Sequence, residues 1–254
     1  MQGLLILSCQ GTRLPLYLFT MNQKPAHPDN QKSMPLAENF LKEIGGSSIT
    51  CMFNQVIADV SRVYDRAILV GAVAAAKYIR LPSGPRVTYD VDFLLDETDF
   101  NDFLNDEIPP EALSRLEALF EDPDSPNHSL KHRKTGIYVD FLSAQSKPVS
   151  KKFARHIIEN REKTTNVITI GDQPVHVLKP EFIIAMKMNR CTKSPRSERG
   201  LSDRIDIIKL LKTHWHAESA VDHDSVKSMI NRNEVKYYES IVYDVTCEMD
   251  TPDE

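Results

Sequence analysis

The chain has few cysteines, and they are scattered. Cys9, Cys51, Cys191 and Cys247 lie far apart with no C-x-x-C pair, which argues against both a zinc site and a disulfide framework and leads us to expect a reducing cytoplasm. No apolar run approaches the ~20 residues that a membrane helix needs, so no membrane partner is expected. Internal repeats are also missing, which leaves an ordinary globular architecture rather than a solenoid.

The 254 residues are enough for one substantial core with a helical appendage. Hydrophobic residues at 41% and charged residues at 26% fit a globular protein. Residues 1–35 are polar, proline-containing and aperiodic apart from two short apolar stretches, Leu4–Leu7 and Leu14–Phe19. We expect this segment to be either a disordered tail or a mis-called extension, the second reading placing the native start near Met21. Charge is unevenly distributed. Residues 90–124 carry thirteen acidic side chains against one basic, Arg115, whereas residues 147–213 carry fifteen basic against seven acidic. Each block reads either as a solvated helix face or as an acidic metal site facing a basic phosphate or nucleic-acid surface.

Phe53, Val56, Ile57, Val60, Val63 and Tyr64 recur at helical spacing, predicting an amphipathic helix over 50–65. Ala67–Val70 reads as a short buried strand that runs through Gly71 into an alanine-rich helix, stopped by Pro82-Ser83-Gly84-Pro85. In the strand 88–95, strict alternation puts Asp90 and Asp92 on one face and Tyr89, Val91 and Phe93 on the other. A helix broken by Pro109-Pro110 is expected over 99–120, a loop over 122–127, a strand over 136–144 with Asp140 inside it, and a helix over 149–160. Residues 167–170 and 175–178 read as a hairpin, followed by helices near 180–190, 202–215, 223–231 and 234–247. The fold class expected is α+β, a small mixed sheet flanked by helices. The domain reading is a core over 36–178 and a helical subdomain over 179–254.

Three features carry chemistry. Asp90-x-Asp92 on a strand projects two carboxylates side by side, an unfavourable pairing unless a cation neutralises it; taken alone, the same pattern also fits a solvent-facing edge. Asp140 stands among Ile137, Val139, Phe141 and Leu142. It is either a surface residue or, if its strand neighbours that of Asp90, a third ligand of one site. The turn from strand to helix at Gly71-Ala72 exposes backbone N–H groups suited to phosphate, though such turns are common in α/β packing.

Taken together, these features are more specific. The series strand-Gly71-Ala72-x-Ala74-helix, then Arg86-x-Thr88-x-Asp90-x-Asp92-Phe93, then a lone strand carboxylate, resembles the nucleotidyltransferase superfamily of the DNA polymerase beta type. The likeness is greatest to the minimal branch of antibiotic and abortive-infection or toxin–antitoxin nucleotidyltransferases. It continues through Phe153-Ala154-Arg155, the Gly171 hairpin, Val177-Leu178-Lys179-Pro180-Glu181, Ile184-Ala185-Met186-Lys187 and Ser202-Asp203-Arg204-x-Asp206, and spans roughly residues 50–215. The resemblance implies a nucleotidyltransferase core with Asp90, Asp92 and Asp140 as metal ligands and catalytic residues, and two Mg²⁺ ions, with Mn²⁺ able to substitute. It also implies that Gly71 and Ala72 hold the phosphates of a nucleoside triphosphate and that Lys187 neutralises phosphate charge. Asp203 matches the acidic residue of a motif that often reads Lys-Asp, while Arg86 and Thr88 position substrate. Two positions depart from the pattern: Ala72 stands where glycine or serine is usual, and Ser202 where lysine precedes the aspartate.

The activity so implied is transfer of a nucleoside monophosphate from an ATP-like triphosphate to an acceptor hydroxyl. The basic 147–213 block favours a protein or RNA acceptor, whereas a small aminoglycoside-like acceptor would suit the acidic block. The other reading is a non-catalytic binding or regulatory member of a toxin–antitoxin-type pair, and either reading allows for a cognate antitoxin-like partner. Arg190, Lys193, Arg196, Arg199 and Arg204 form either an exposed loop or a clamp for triphosphate or RNA. His214-Trp215-His216 reads as a helix end rather than a metal site.

Overall fold

The computed structural model describes residues 46–85, 88–99, 108–121, 129–144, 150–215 and 220–250. The segment 1–35 and Arg86 therefore lie outside the described residues. So do the 122–127 loop, most of the 99–109 stretch and His216.

The first helix, α1 (Gly46–Val63), turns Val56, Ile57 and Val60 into the interior at full burial. Tyr64 closes it with an N–H bond to the Val60 carbonyl, and Ala67 leads into β1 (Ile68–Val70). Gly71 then opens α2 (Gly71–Tyr78), whose small side chains let its first turn pack closely; Gly71, Ala72, Val73, Ala74 and Ala75 are all buried. Strand β2 (Asp90–Leu94) follows, then α3 (Pro110–Leu119), β3 (Phe120–Glu121), β4 (Ser129–His132) and β5 (Tyr138–Leu142). After these come α4 (Lys151–Glu159), the short α5 (Arg161–Thr164), and the hairpin β6 (Thr165–Ile170) and β7 (Gln173–Leu178).

These strands make one seven-stranded sheet in the order β3-β4-β5-β2-β1-β7-β6. Two pairings are parallel, β2 with β5 and β1 with β7, and the rest are antiparallel. The mixed sheet with flanking helices is the α+β class expected. Val91, Phe93, Val139, Phe141, Leu130 and Phe120 alternate onto one face and are buried. Tyr64 at the end of α1 meets Phe141 edge-on, with ring centroids 5.7 Å apart. Asp59 of α1 ties that helix to β4: it accepts from Arg62 Nη1 at 2.8 Å and Gln55 Nε2 at 3.2 Å, and lies 3.3 Å from His132 Nε2. Burial holds the His132 imidazole below its ordinary pKa against the pull of Asp59, so the ring is neutral at physiological pH.

Four helices complete the chain: α6 (Pro180–Lys193), α7 (Glu198–Thr213), α8 (His223–Met229) and α9 (Arg232–Met249). Proline at the first position starts α6, and Ser197 caps α7 by accepting from Gly200 N at 3.0 Å. Asn231 and Glu234 form a reciprocal capping box on α9. Tyr238 is fully buried with its hydroxyl 2.6 Å from His223 Nδ1, joining α9 to α8. Arg204 to Asp244 and Lys212 to Glu248 join α7 to α9. No described helix is long and apolar enough to cross a membrane.

The strands β3 and β4 are absent from the sequence reading. Phe120 looks like the last turn of a helix by its spacing, and Ser-Leu-Lys-His is too short and polar to announce itself. Pairing with β5 makes it a strand.

Candidate metal and nucleotide site

Register creates the site. Asp92 lies opposite Val70 across the antiparallel β1–β2 pair and beside Asp140 across the parallel β2–β5 pair. Register partners share a face, and residues two apart on a strand return to it, so Asp90, Asp92 and Asp140 all stand on the face opposite Val91 and Phe93. Each offers a carboxylate oxygen within 4.8 Å of the other two, and all three residues are half-buried. Thr88 Oγ1 donates to Asp90 Oδ1 at 2.5 Å, fixing the first carboxylate.

Such a cluster is electrostatically unfavourable by itself. The Asp92 carboxyl group lies deep among protein atoms, and burial pushes its pKa up to about 7, with the charges of Asp90 and Asp140 adding to the rise and those of Lys187 and Arg190 opposing it. Three hard oxygen donors at this spacing, one of them with its charge disfavoured chiefly by burial and then by its neighbours, suit a hard divalent cation, which removes the repulsion. Proton and cation then compete for Asp92. Affinity for Mn²⁺, followed by calorimetric titration, is expected to rise roughly tenfold per unit between pH 5.5 and 7 and to level off above that. A flat profile across this range would contradict the competition.

Gly71 borders the carboxylates directly. Its φ of +71° is left-handed, and a Cβ added there would stand 1.9 Å from Asp92 Oδ2 and 2.7 Å from its Cγ. Only glycine satisfies both the backbone and the close approach. The helix it opens has no side-chain cap at its N-terminus, so the first-turn N–H groups of α2, Ala72 included, are not taken up by a capping side chain. They stand next to the carboxylate of Asp92, where an anion drawn to a bound cation would find them.

Lys187 is placed differently from an exposed phosphate ligand. It is 1% exposed, and its Nζ lies 2.8 Å from Asp203 Oδ1 and 2.9 Å from Asp206 Oδ2. Arg190, one helical turn further along α6, places Nε 2.7 Å from Asp203 Oδ2. The sequence reading gave Asp206 no role and offered Arg190 only as one of five basic residues forming either an exposed loop or a clamp for triphosphate or RNA. The signal was present as two i, i+3 pairs, Lys187/Arg190 on one helix and Asp203/Asp206 on the next, but their match appears only when α6 and α7 pack. Replacing Lys187 with methionine leaves two buried carboxylates facing each other with one cation fewer, and is expected to cost about 3 kcal/mol in denaturant unfolding. A loss under about 1 kcal/mol would show that the pair is not holding α6 to α7.

Among the described residues, no second cluster of three potential ligands lies as close as the three aspartates. His214 is the C-cap residue of α7, next to the ring of Tyr78. Cys191 is buried, its thiol pushed up to about 12 chiefly by burial, so it is inert at physiological pH.

No family model matches the sequence, and no curated protein matches it. Solved structures do show similarity. An antigenic nucleotidyltransferase-like protein from Paracoccidioides brasiliensis is 17% identical with a TM-score of 0.49, covering 76% of this chain and 91% of that one. The antibiotic-resistance factor ANT(2'')-Ia is 12% identical with a TM-score of 0.40, covering 78% of this chain and 97% of that one.

Proposed function

We propose that this chain is a divalent-metal-dependent nucleotidyltransferase. It moves a nucleoside monophosphate from a nucleoside triphosphate to an acceptor hydroxyl and releases pyrophosphate. The observation that carries this reading is the meeting of three carboxylates within 4.8 Å beside a glycine turn that opens a helix. Asp90, Asp92 and Asp140 would hold Mg²⁺, in two ions, with Mn²⁺ able to replace it. Bound there, the metal supplies charge neutralisation and Lewis-acid polarisation at phosphate oxygens.

The chain's own residues do the rest. Gly71 and Ala72 offer backbone N–H groups to the phosphates. Thr88 keeps Asp90 in place through its short hydrogen bond. Asp140, on the far side of Asp92 from Gly71, orients the acceptor hydroxyl and accepts its proton. The acceptor oxygen bonds to the α-phosphorus as the bond from that phosphorus to the departing pyrophosphate breaks. Positioning and fixed charge account for most of the acceleration in such a step.

RNA or protein is the favoured acceptor, supported by the excess of basic residues over 147–213. The test incubates the protein with α-labelled ATP, GTP, CTP and UTP, Mg²⁺, and total RNA or cell lysate. Label is expected to pass to a macromolecule with wild type and to fall by at least roughly 10²-fold with Asp140→Asn. No transfer to any acceptor, combined with no nucleotide binding, would leave the non-catalytic reading in its place.

A further inference from the structure

We propose that Tyr138 is the platform on which the acceptor lies, its ring stacking against the terminal base of an RNA 3′ end. The proposal rests on the nucleotidyltransferase reading above and names the acceptor class of that same site.

Register places the residue. Tyr138 is the parallel partner of Asp90 and stands two residues before Asp140 on β5. Its side chain therefore leaves the sheet on the aspartate face. That face continues across β4 and β3, where Ser129 pairs with Asp140, Lys131 with Tyr138, and Glu121 with Lys131. Two rows result: Asp92, Asp140 and Ser129 in one, and Asp90, Tyr138, Lys131 and Glu121 in the other. Gly71 borders Asp92 from the β1 side. The phosphate end of the site thus lies toward β1, and Tyr138 lies toward β4, on the side of Asp140.

Exposure and chemistry give the ring a task. Val139 and Phe141, which alternate onto the other face, are fully buried, whereas Tyr138 is 38% exposed. A lone exposed tyrosine on a strand is ordinary. This one sits beside the gathered carboxylates on a central strand of the sheet, so it offers a flat apolar surface next to the reacting groups. Aromatic side chains stack on unpaired bases whatever their identity, because every base has a π-face. The spacing suits one nucleoside: two residues of strand separate Tyr138 from Asp140, about 6.6 Å, close to the reach from a ribose hydroxyl to its own base. Lys131 Nζ lies 2.9 Å from Glu121 Oε2, with the two side chains 39% and 41% exposed. So exposed an ion pair holds little energy, and its ammonium is free to turn to the phosphate before the terminal nucleoside. Ser129 adds a hydroxyl beside Asp140 for the ribose.

The test uses five short RNAs with single-stranded 3′ ends, four ending in A, C, G or U and one ending in an abasic ribose. Transfer kinetics are measured at saturating nucleoside triphosphate and Mg²⁺. Tyr138→Ala is expected to raise KM for the four base-ended RNAs roughly 10- to 100-fold. Its kcat, nucleotide affinity and melting temperature should stay near wild type, as for loss of a contact made equally in ground and transition states. Tyr138→Trp should restore KM, and the abasic RNA should not distinguish wild type from Tyr138→Ala. A merely structural role would instead lower melting temperature and nucleotide affinity together. Equal KM in wild type and Tyr138→Ala overturns the proposal, as does a wild type that labels protein but none of the five RNAs; both leave the nucleotidyltransferase reading standing. A wild type that binds no nucleotide and transfers to no acceptor overturns that reading and the proposal with it. If Tyr138→Ala does not fold, Tyr138→Leu takes its place, keeping bulk and losing the aromatic face, and is judged by the same KM comparison.

Discussion

Asp92→Asn is expected to abolish nucleotidyl transfer while making the cation-free protein melt at a higher temperature than wild type. The two effects have one cause. Asp92 lies between Val70 and Asp140 in register, and its carboxyl group is crowded by Asp90 and Asp140. Its pKa of about 7 means that the fold tolerates the neutral form better than the charged one. In the unfolded chain the same group ionises near its ordinary value. The stability it contributes is therefore complete below about pH 4 and is lost as the pH rises through about 7. Asparagine keeps the shape and removes that loss. The gain should be absent near pH 4, grow across the interval, and level off above pH 7. Because all three aspartates are only half-buried by residue exposure, water screens part of the charge, and the gain should be about 1 kcal/mol, or roughly 2–4 °C for a domain of this size. Activity should fall by roughly 10³-fold or more, since a ligand for the cation is lost. Scanning calorimetry at pH 4, 6 and 8 without metal, alongside the transfer assay, reads both effects. A variant that is less stable than wild type at pH 8 would mean that burial and the neighbouring carboxylates do not disfavour the charged form of Asp92 as described.

Gly71→Ala is expected to lose cation binding and transfer together and to destabilise the fold by roughly 4 kcal/mol. Two costs combine. Alanine at a φ of +71° carries backbone strain, and its methyl group would lie 1.9 Å from Asp92 Oδ2, far inside contact distance. The overlap is relieved by moving the turn or the carboxylate, and either movement breaks the three-oxygen cluster. Gly84 supplies the comparison: it also has a positive φ, 62°, but a Cβ there meets nothing within 4 Å. Gly84→Ala should therefore show the backbone cost alone, about 1–2 kcal/mol, with Mn²⁺ affinity unchanged. If Gly71→Ala bound Mn²⁺ as wild type does, the turn would not be part of the site.

Much of the architecture was legible because its signals are local. Alternation in the 88–95 strand, the apolar stripe of α1 and the glycine ending β1 each depend on neighbours a few residues away. The fate of Asp140 was not legible in the same way. Whether it faced solvent or joined Asp92 depended on β2 and β5 pairing in parallel, with α3, β3 and β4 lying between them in the chain. Strand β4 was missed for a related reason, since Leu130 and His132 are buried only through contacts made by the assembled sheet. Lys187 shows a third limit. A lysine on a helix after a hairpin reads as a surface or phosphate-facing cation, and its burial becomes apparent only when Asp203 and Asp206 arrive from α7.

The central claim is that one face of the sheet gathers three aspartates around a shared cation that meets a triphosphate. A crystal grown with Mn²⁺ and a non-hydrolysable nucleoside triphosphate analogue tests it most directly, through the anomalous scattering of manganese. Manganese density is expected at coordination distance, about 2.1 Å, from carboxylate oxygens of Asp90, Asp92 and Asp140, with the triphosphate on the Gly71 side. Manganese absent from these three carboxylates while the nucleotide is bound would contradict the claim.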